Sequence, residues 1–358
     1  MPTRAASFEV KCTACLDAEG KPVGPLPKFA GDGEILRGLY RAMVRARTFD
    51  AKAIALQRTG RLGTYASCLG QEAVGVGVAS AMQADDVLLP SFREHAAQLW
   101  RGVTPEELLL YWGGDERGSN FQGPRRDFPV CIPVASQFPH AAGVALALSM
   151  SGSLAGENSV AVAVGGDGST SKGDFYEALN VVGLWNLPAV FVINNNQWAI
   201  SVRRREQTAT RTLAQKAIAA GLPGEQVDGN DVIAVRDAVE RALARARSGD
   251  GGMLIECLSY RLGDHTTADD ASRYRDEDEV RAHWKEEPLL RLRTYLAAEH
   301  GWSKDDEEAL LHASGTEIEA AAEAYLATEP QPAEAMFDNL FAALPADLAA
   351  QREGLTDA

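Results

Sequence analysis

With 358 residues, 46% hydrophobic and 24% charged, the chain has the make-up of a globular protein that buries a substantial core, and neither disorder nor a collagen-like repeat fits it. A formal net charge of -15 argues against nucleic acid as a main partner, because phosphate-backbone binding needs clustered positive charge. The apolar runs, such as Ala141 to Met150, fall short of the roughly 20 residues that span a bilayer, and Arg4 and Lys11 are followed by no apolar stretch of the kind a secretory signal carries. No membrane helix is expected, and the cytoplasm is the default location. The odd count of five cysteines fits a reducing compartment rather than a disulfide framework. Cys12 and Cys15 form a CxxC without a second ligand pair at short spacing, so a surface strand or loop is expected there instead of a zinc site.

In chain order, residues 1–33 read as an extended arm rich in Gly and Pro that packs on another surface. A helix from Glu34 to Arg58 follows, with Ile35, Leu39, Met43, Phe49 and Ile54 at helical spacing and Gly60 as its stop. Val87 to Leu89 reads as a short strand, Ala141 to Met150 as a buried helix and Ser159 to Val164 as a fully buried strand. Lys172 to Trp185 reads as a helix, with Ser171 and Asp174 resembling a capping box and Pro188 as its breaker. Ala189 to Ile193 and Met253 to Ser259 are further strands, separated by an amphipathic helix from Asp231 to Arg247 behind Asn230. This alternation predicts an α/β fold: a mostly parallel sheet flanked by helices over residues 34–277, with the arm before it and an acidic helical region over 278–358.

The chemistry concentrates at two strand ends. Ser159 to Val164 runs into Gly165-Gly166-Asp167-Gly168-Ser169, and one helix later Ala189 to Ile193 runs into Asn194-Asn195-Asn196. Parallel strands expose their carboxyl ends on one edge, where open α/β sheets place ligands, so Asp167 and Asn196 are expected at one crevice. A carboxylate and an amide oxygen suit Mg2+, which is commonly shared between one or two protein oxygens and phosphate oxygens. The glycines beside Asp167 leave room for a diphosphate, with the N–H groups of Gly168 and Ser169 as donors. A dinucleotide fingerprint would be the rival, but Gly75-Val76-Gly77 lacks the third glycine and a preceding strand and reads as close helix packing.

The strand, GDG, helix and Asn-Asn order resembles the thiamine-diphosphate motif of transketolase-like enzymes. The likeness narrows with Arg58-Thr59-Gly60-Arg61-Leu62-Gly63-Thr64-Tyr65, Gly70-Gln71-Glu72-Ala73, Gly173-Asp174-Phe175-Tyr176-Glu177 and Asn195-Asn196-Gln197-Trp198-Ala199-Ile200-Ser201. Ala214 to Ala217, Gln226 to Asp231 and Tyr260 to Thr266 extend it. Nearly the whole chain resembles the α subunits of the E1 component of pyruvate and branched-chain 2-oxo acid dehydrogenase complexes.

That resemblance implies thiamine diphosphate and Mg2+ as cofactors, with Asp167, Asn196 and the carbonyl of Trp198 as metal ligands. Arg93 stands where the family contacts the diphosphate, a role that an always-charged planar donor suits, and its neighbour Phe92 is expected among the cofactor-binding residues. His265 matches the histidine of a loop beside the cofactor and the reacting centre. Val134 matches the residue that presses on the bent cofactor, and Gly166, Gly168 and Ser169 belong to the turn beneath it. Ser136 and Gln137 are either ligands of a monovalent cation or helix-capping groups. Thr64 occupies a place where relatives often put an aromatic against the substrate. The resemblance also implies an E1 β subunit in an α2β2 assembly, which supplies the glutamate that activates the cofactor, and a lipoyl-bearing E2 acyltransferase. Pyruvate is the favoured substrate, with a branched-chain 2-oxo acid as the alternative.

Overall fold

The computed structural model describes residues 2–151, 158–338 and 340–355. Its elements in chain order are β1 (Lys11–Thr13), α1 (Gly33–Arg58), α2 (Glu72–Ala81), β2 (Val87–Leu89), α3 (His95–Arg101), α4 (Pro105–Trp112), α5 (Gln137–Ser151) and β3 (Ala161–Gly166). There follow α6 (Gly173–Trp185), β4 (Ala189–Asn195), β5 (Trp198–Ala199), β6 (Val202–Arg203), α7 (Arg204–Gln207), β7 (Gly224–Asp228), α8 (Val232–Arg247) and β8 (Met253–Leu258). The helices α9 (Glu277–His283), α10 (Pro288–Glu299), α11 (Lys304–Ala327) and α12 (Ala346–Leu355) complete the chain. Six strands form one all-parallel sheet in the order β1-β7-β8-β4-β3-β2, and β5 and β6 pair as a small antiparallel hairpin.

Alternation along the strands sorts the core into two layers, because successive side chains point to opposite faces. Val160, Val162 and Val164 face a cluster that includes Leu39, Met43 and Phe49 of α1, Val74 and Val76 of α2, and Val235 and Val239 of α8. The intervening Ala161 and Ala163 face Phe138 of α5 and Phe175 of α6. The small residues of β3 leave room for these rings, which meet edge to face with centroids 5.2 Å apart. Helices on both faces explain why the central strands are apolar throughout rather than alternating with polar residues.

Lys11–Thr13, in the stretch expected as a surface strand or loop, joins the main sheet as an edge strand parallel to β7. What holds the arm is Asp231, whose carboxylate accepts from the backbone N–H groups of Cys15 and Leu16 at 2.7 Å each. The same side chain caps α8 through Ile233 and Ala234, so Asp231 and not Asn230 is the residue ahead of that helix. The capping box anticipated for α6 is absent too. Ser171 ends a 3-10 turn that begins at Asp167, so the cap position falls on Lys172, which makes no side-chain cap. The helix ends at Asn186, in the left-handed conformation, before Pro188 is reached.

The acidic C-terminal helices are tied to α1 rather than simply solvated. Arg37 donates to the carbonyl of His300 at 2.6 Å, Tyr40 to Glu307 at 2.9 Å and Arg45 Nε to Glu317 at 2.9 Å, while Ile318 and Ala322 enter the same core as α1. The Gly75-Val76-Gly77 stretch lies within α2. A Cβ at Gly75 would stand 2.9 Å from Cβ of Ala96, and one at Gly77 would stand 2.6 Å from Val235, so both glycines serve helix packing. Among the described residues no helix is long and apolar enough to cross a membrane.

Candidate active site

The pairing register decides where the chemistry lies. Gly166 at the end of β3 is level with Asn194 near the end of β4, so the turns that follow both strands emerge side by side at the carboxyl edge of the sheet. A cavity of about 340 Å³ opens there. Phe92, Arg93, Val134, Gly166, Asp167, Gly168, Ser169, Asn196, Trp198 and His265 all line it, together with Gln137. Ser136 does not: its hydroxyl donates to Pro133 O at 2.5 Å and stands 3.0 Å from the Cys131 thiol. Thr64 is exposed and lies outside the lining of this cavity, so nothing in this chain sets it against a ligand there.

Asp167 is 1% exposed. Burial raises its pKa above the ordinary aspartate range, against the hydrogen bonds from Gln207 and from the Gly168 amide that favour the charged form. Gln207 Nε2 donates to Oδ2 at 2.7 Å. Asn196 is fixed by Gln71: its Nδ2 donates to Gln71 Oε1 at 2.8 Å, which turns Oδ1 toward the Trp198 amide, 3.1 Å away. The Trp198 carbonyl receives only a long contact, 3.5 Å, from Arg261 Nη1. One carboxylate, one amide oxygen and one main-chain carbonyl with little competition form a hard-oxygen set suited to a divalent cation.

The two glycines flanking Asp167 serve different ends. A Cβ at Gly168 would stand 2.7 Å from Cβ of Ala199, so glycine there lets the hairpin approach. A Cβ at Gly166 would meet nothing within 4 Å, so glycine there leaves space open to the cavity. The Ser169 hydroxyl donates to the Gly166 carbonyl within the turn.

A buried cation lines the same cavity. Arg93, 7% exposed, donates through Nη1 to Ser67 O at 2.6 Å and through Nη2 to His265 O at 2.6 Å and to His265 Nδ1 at 2.9 Å. Burial, then the neighbouring Arg261, lowers its pKa to about 10. Arg261 is 1% exposed and is likewise lowered by burial. Its hydrogen-bond partners are main-chain carbonyls, Tyr274 and His265 Nδ1, not a carboxylate. Since guanidinium only donates, His265 Nδ1 must accept, which leaves the imidazole proton on Nε2. Arg93 and Asp167 line the same cavity, and among the described residues neither makes an ion pair, although the nearby Arg261 favours the charged form of Asp167. A ligand that carries both an anion and a dication would offset both desolvation costs.

Burial, with Arg93 and Arg261 nearby, pulls the His265 pKa down from 6.5 to about 4. The unfolded chain then binds this proton more readily than the folded one, so stability contributed above about pH 6.5 is lost as pH falls toward 4. The thermal midpoint is expected to drop between pH 7 and 4.5, with a shallower slope in His265→Gln. Equal slopes in differential scanning fluorimetry would remove His265 from this account.

Behind Arg93 lies a network without a motif in the sequence. Asp50 accepts from Tyr65 Oη, from Ser67 Oγ at 2.6 Å and from the Cys68 amide at 2.8 Å. His95 Nε2 accepts from Trp112 Nε1 at 3.0 Å, and burial holds that imidazole neutral, with its pKa near 3. Asp50, Cys68 and His95 lie within metal-binding reach of one another, yet these hydrogen bonds already engage the acid and the imidazole. Their visible task is to hold the Ser67 to Cys68 turn, whose carbonyl anchors Arg93. Gln71, Gln207 and Arg261 are further site residues that sequence reasoning did not assign. Gln71 and Arg261 stood inside quoted motifs, whereas Gln207 carried no signal.

Comparison with known proteins agrees with this architecture. Residues 40–334 match the family model described as the dehydrogenase E1 component. The chain is 39% identical over 337 residues to the pyruvate dehydrogenase E1 component subunit alpha of Mycoplasma genitalium, covering 94% of this chain and 93% of that one. It is 41% identical over 322 residues to the 3-methyl-2-oxobutanoate dehydrogenase subunit alpha of Mycobacterium tuberculosis, covering 90% and 87%. It is 40% identical over 321 residues to the pyruvate dehydrogenase E1 component subunit alpha of Staphylococcus aureus, covering 89% and 86%. A match that spans both the sheet and the helices behind it shows that the chain belongs to the dehydrogenase E1 component family.

Proposed function

We propose that the chain binds thiamine diphosphate with Mg2+ in this cavity and acts as the α half of an E1 component. Its reaction is the oxidative decarboxylation of a 2-oxo acid, pyruvate first, with acyl transfer to a lipoyl group on an E2 acyltransferase. The observation that carries the reading is a single cavity lined by Asp167, Asn196 and Trp198 together with the buried Arg93 and His265. Asp167, Asn196 and Trp198 hold the metal, and Arg93 and His265 hold the diphosphate side through donated hydrogen bonds. Gly166, Gly168 and Ser169 form the turn beneath the cofactor, while Phe92 and Val134 give it apolar walls. The cofactor, when bound, supplies the electron sink for loss of carbon dioxide. The buried Gln137 Oε1 has no hydrogen-bond partner among the described residues and offers a ligand atom to a monovalent cation.

Residues 34–277 are the unit that carries the site, with 1–33 and 278–358 as its extensions. A second α/β domain must bring the carboxylate that activates the cofactor, and the described residues form one parallel sheet. That domain is assigned to an E1 β subunit in an α2β2 assembly. Ile132 and Val134, each more than half exposed at the cavity, and Met150 on α5 suit burial by a second chain. The five cysteines are unpaired, which suits the cytoplasm. Decarboxylation by the purified chain is expected to be negligible and to appear with β, measured by dye reduction with pyruvate; full activity without β would end the two-chain reading. The branched-chain alternative stands because the M. tuberculosis relative is as similar as the pyruvate enzymes. Rates on pyruvate and 3-methyl-2-oxobutanoate with β present decide between them.

A further inference from the structure

The hairpin that carries Trp198 turns through two residues, Ile200 and Ser201, because Trp198 pairs with Arg203 and Ala199 with Val202. Ile200 has φ of 55°, while Ser201 is not among the residues with positive φ. A two-residue loop with positive φ at its first position is glycine's place, and a β-branched side chain is a costly occupant. Glycine would satisfy the backbone here, so the isoleucine is retained for its side chain.

Core packing does not repay the strain, since Ile200 is 57% exposed. The backbone is instead clamped from behind by buried Arg261, whose Nη2 donates to the Ile200 carbonyl at 2.8 Å. The carbonyl is engaged and the residue lines the cavity, leaving the aliphatic side chain as the part free to meet a ligand. Apart from two asparagines, the non-glycine residues with positive φ are Ala135, Gln197 and Ile200. Ala135 and Ile200 line the cavity, and Gln197 sits between Asn196 and Trp198, which also do. Backbone strain therefore concentrates at this one place, as it does where a site is held in a set shape. Ile132 and Val134, both about half exposed, give the same cavity further aliphatic wall.

We infer that Ile200 is a specificity-determining residue, held by a strained hairpin so that its side chain packs against the apolar side chain of the 2-oxo acid. The inference rests on the 2-oxo acid reading of the cavity. Its test uses Ile200→Gly and Ile200→Val in the complex reconstituted with β. Ile200→Gly is expected to raise the thermal midpoint by relieving the turn. It should also shift the kcat/KM ratio of 3-methyl-2-oxobutanoate to pyruvate by about tenfold or more, while thiamine diphosphate affinity stays within about twofold of wild type. Ile200→Val keeps the β-branch, so the ratio should move in the same direction by less, with no gain in thermal midpoint. Turnover with an unmoved ratio in both variants overturns the inference. So does loss of assembly with β in place of a change in selectivity, since that would make Ile200 an interface residue. A wild-type complex that neither binds thiamine diphosphate by calorimetry nor turns over either acid would overturn the underlying reading of the site as well.

Discussion

Replacing Asp167 by alanine is expected to remove Mg2+-dependent thiamine diphosphate binding without unfolding the chain. Groups that only orient a metal ligand cost roughly 10- to 100-fold in affinity when removed, so loss of the ligand itself should exceed about 100-fold. The fold should survive for a specific reason. Asp167 is buried and its charged form is penalised by that burial, so the carboxylate costs stability when no dication faces it. Alanine removes that cost and leaves the Gln207 amide without its partner, but Gln207 is only half-buried and can turn to water. The check is calorimetric titration with thiamine diphosphate at saturating Mg2+, beside a thermal melt of the same variant. An unchanged affinity would take away the proposed ligand set.

Arg93→Met is expected to produce a loss of similar size by a different route. Truncating one partner of a buried, hydrogen-bonded charge contact costs about 2–5 kcal/mol, which corresponds to roughly 30-fold to several-thousand-fold in affinity. Arg93 also ties His265 to the Ser67 turn, so its removal frees the loop as well as the anion wall. Inorganic diphosphate should raise the thermal midpoint of the wild-type chain and leave that of Arg93→Met unmoved. Limited proteolysis should cut the variant faster around residues 263–273. A diphosphate-induced shift of equal size in both proteins would remove Arg93 from the anion site.

The parts of the site that were legible in the sequence are local in the chain. Asp167 follows a strand of alternating Val and Ala, and Asn196 follows the next strand one helix later. Once both strands are parallel neighbours, register leaves no freedom about where the two side chains emerge. Arg93, His265 and Val134 were legible for another reason: they sit inside segments that resemble a family, and the resemblance needs no knowledge of what they touch.

What remained hidden depends on pairs far apart in sequence. Gln71 orients Asn196 across 125 positions, and Gln207 meets Asp167 across 40. The Asp50 and His95 network reads in one dimension as isolated polar residues on helices. Lys11–Thr13 reads equally as strand or loop until β7 offers it an edge. The cap expected at Ser171 failed because the turn that shapes the Asp167 site winds as a 3-10 helix through that residue. A functional turn overrode a local capping preference.

The sequence by itself determined the layers and the edge. Apolar strands alternating with amphipathic helices can bury both faces only as a parallel sheet between helices, and strand-terminal Asp and Asn must then share its carboxyl edge. Tertiary structure alone decided which atoms remain free there. It buried Arg93 and Arg261 without carboxylates, closed Gln71 onto Asn196, and forced Ile200 into a glycine conformation at the cavity wall. These outcomes depend on desolvation and on contacts between distant segments, and no pattern along the chain encodes either one.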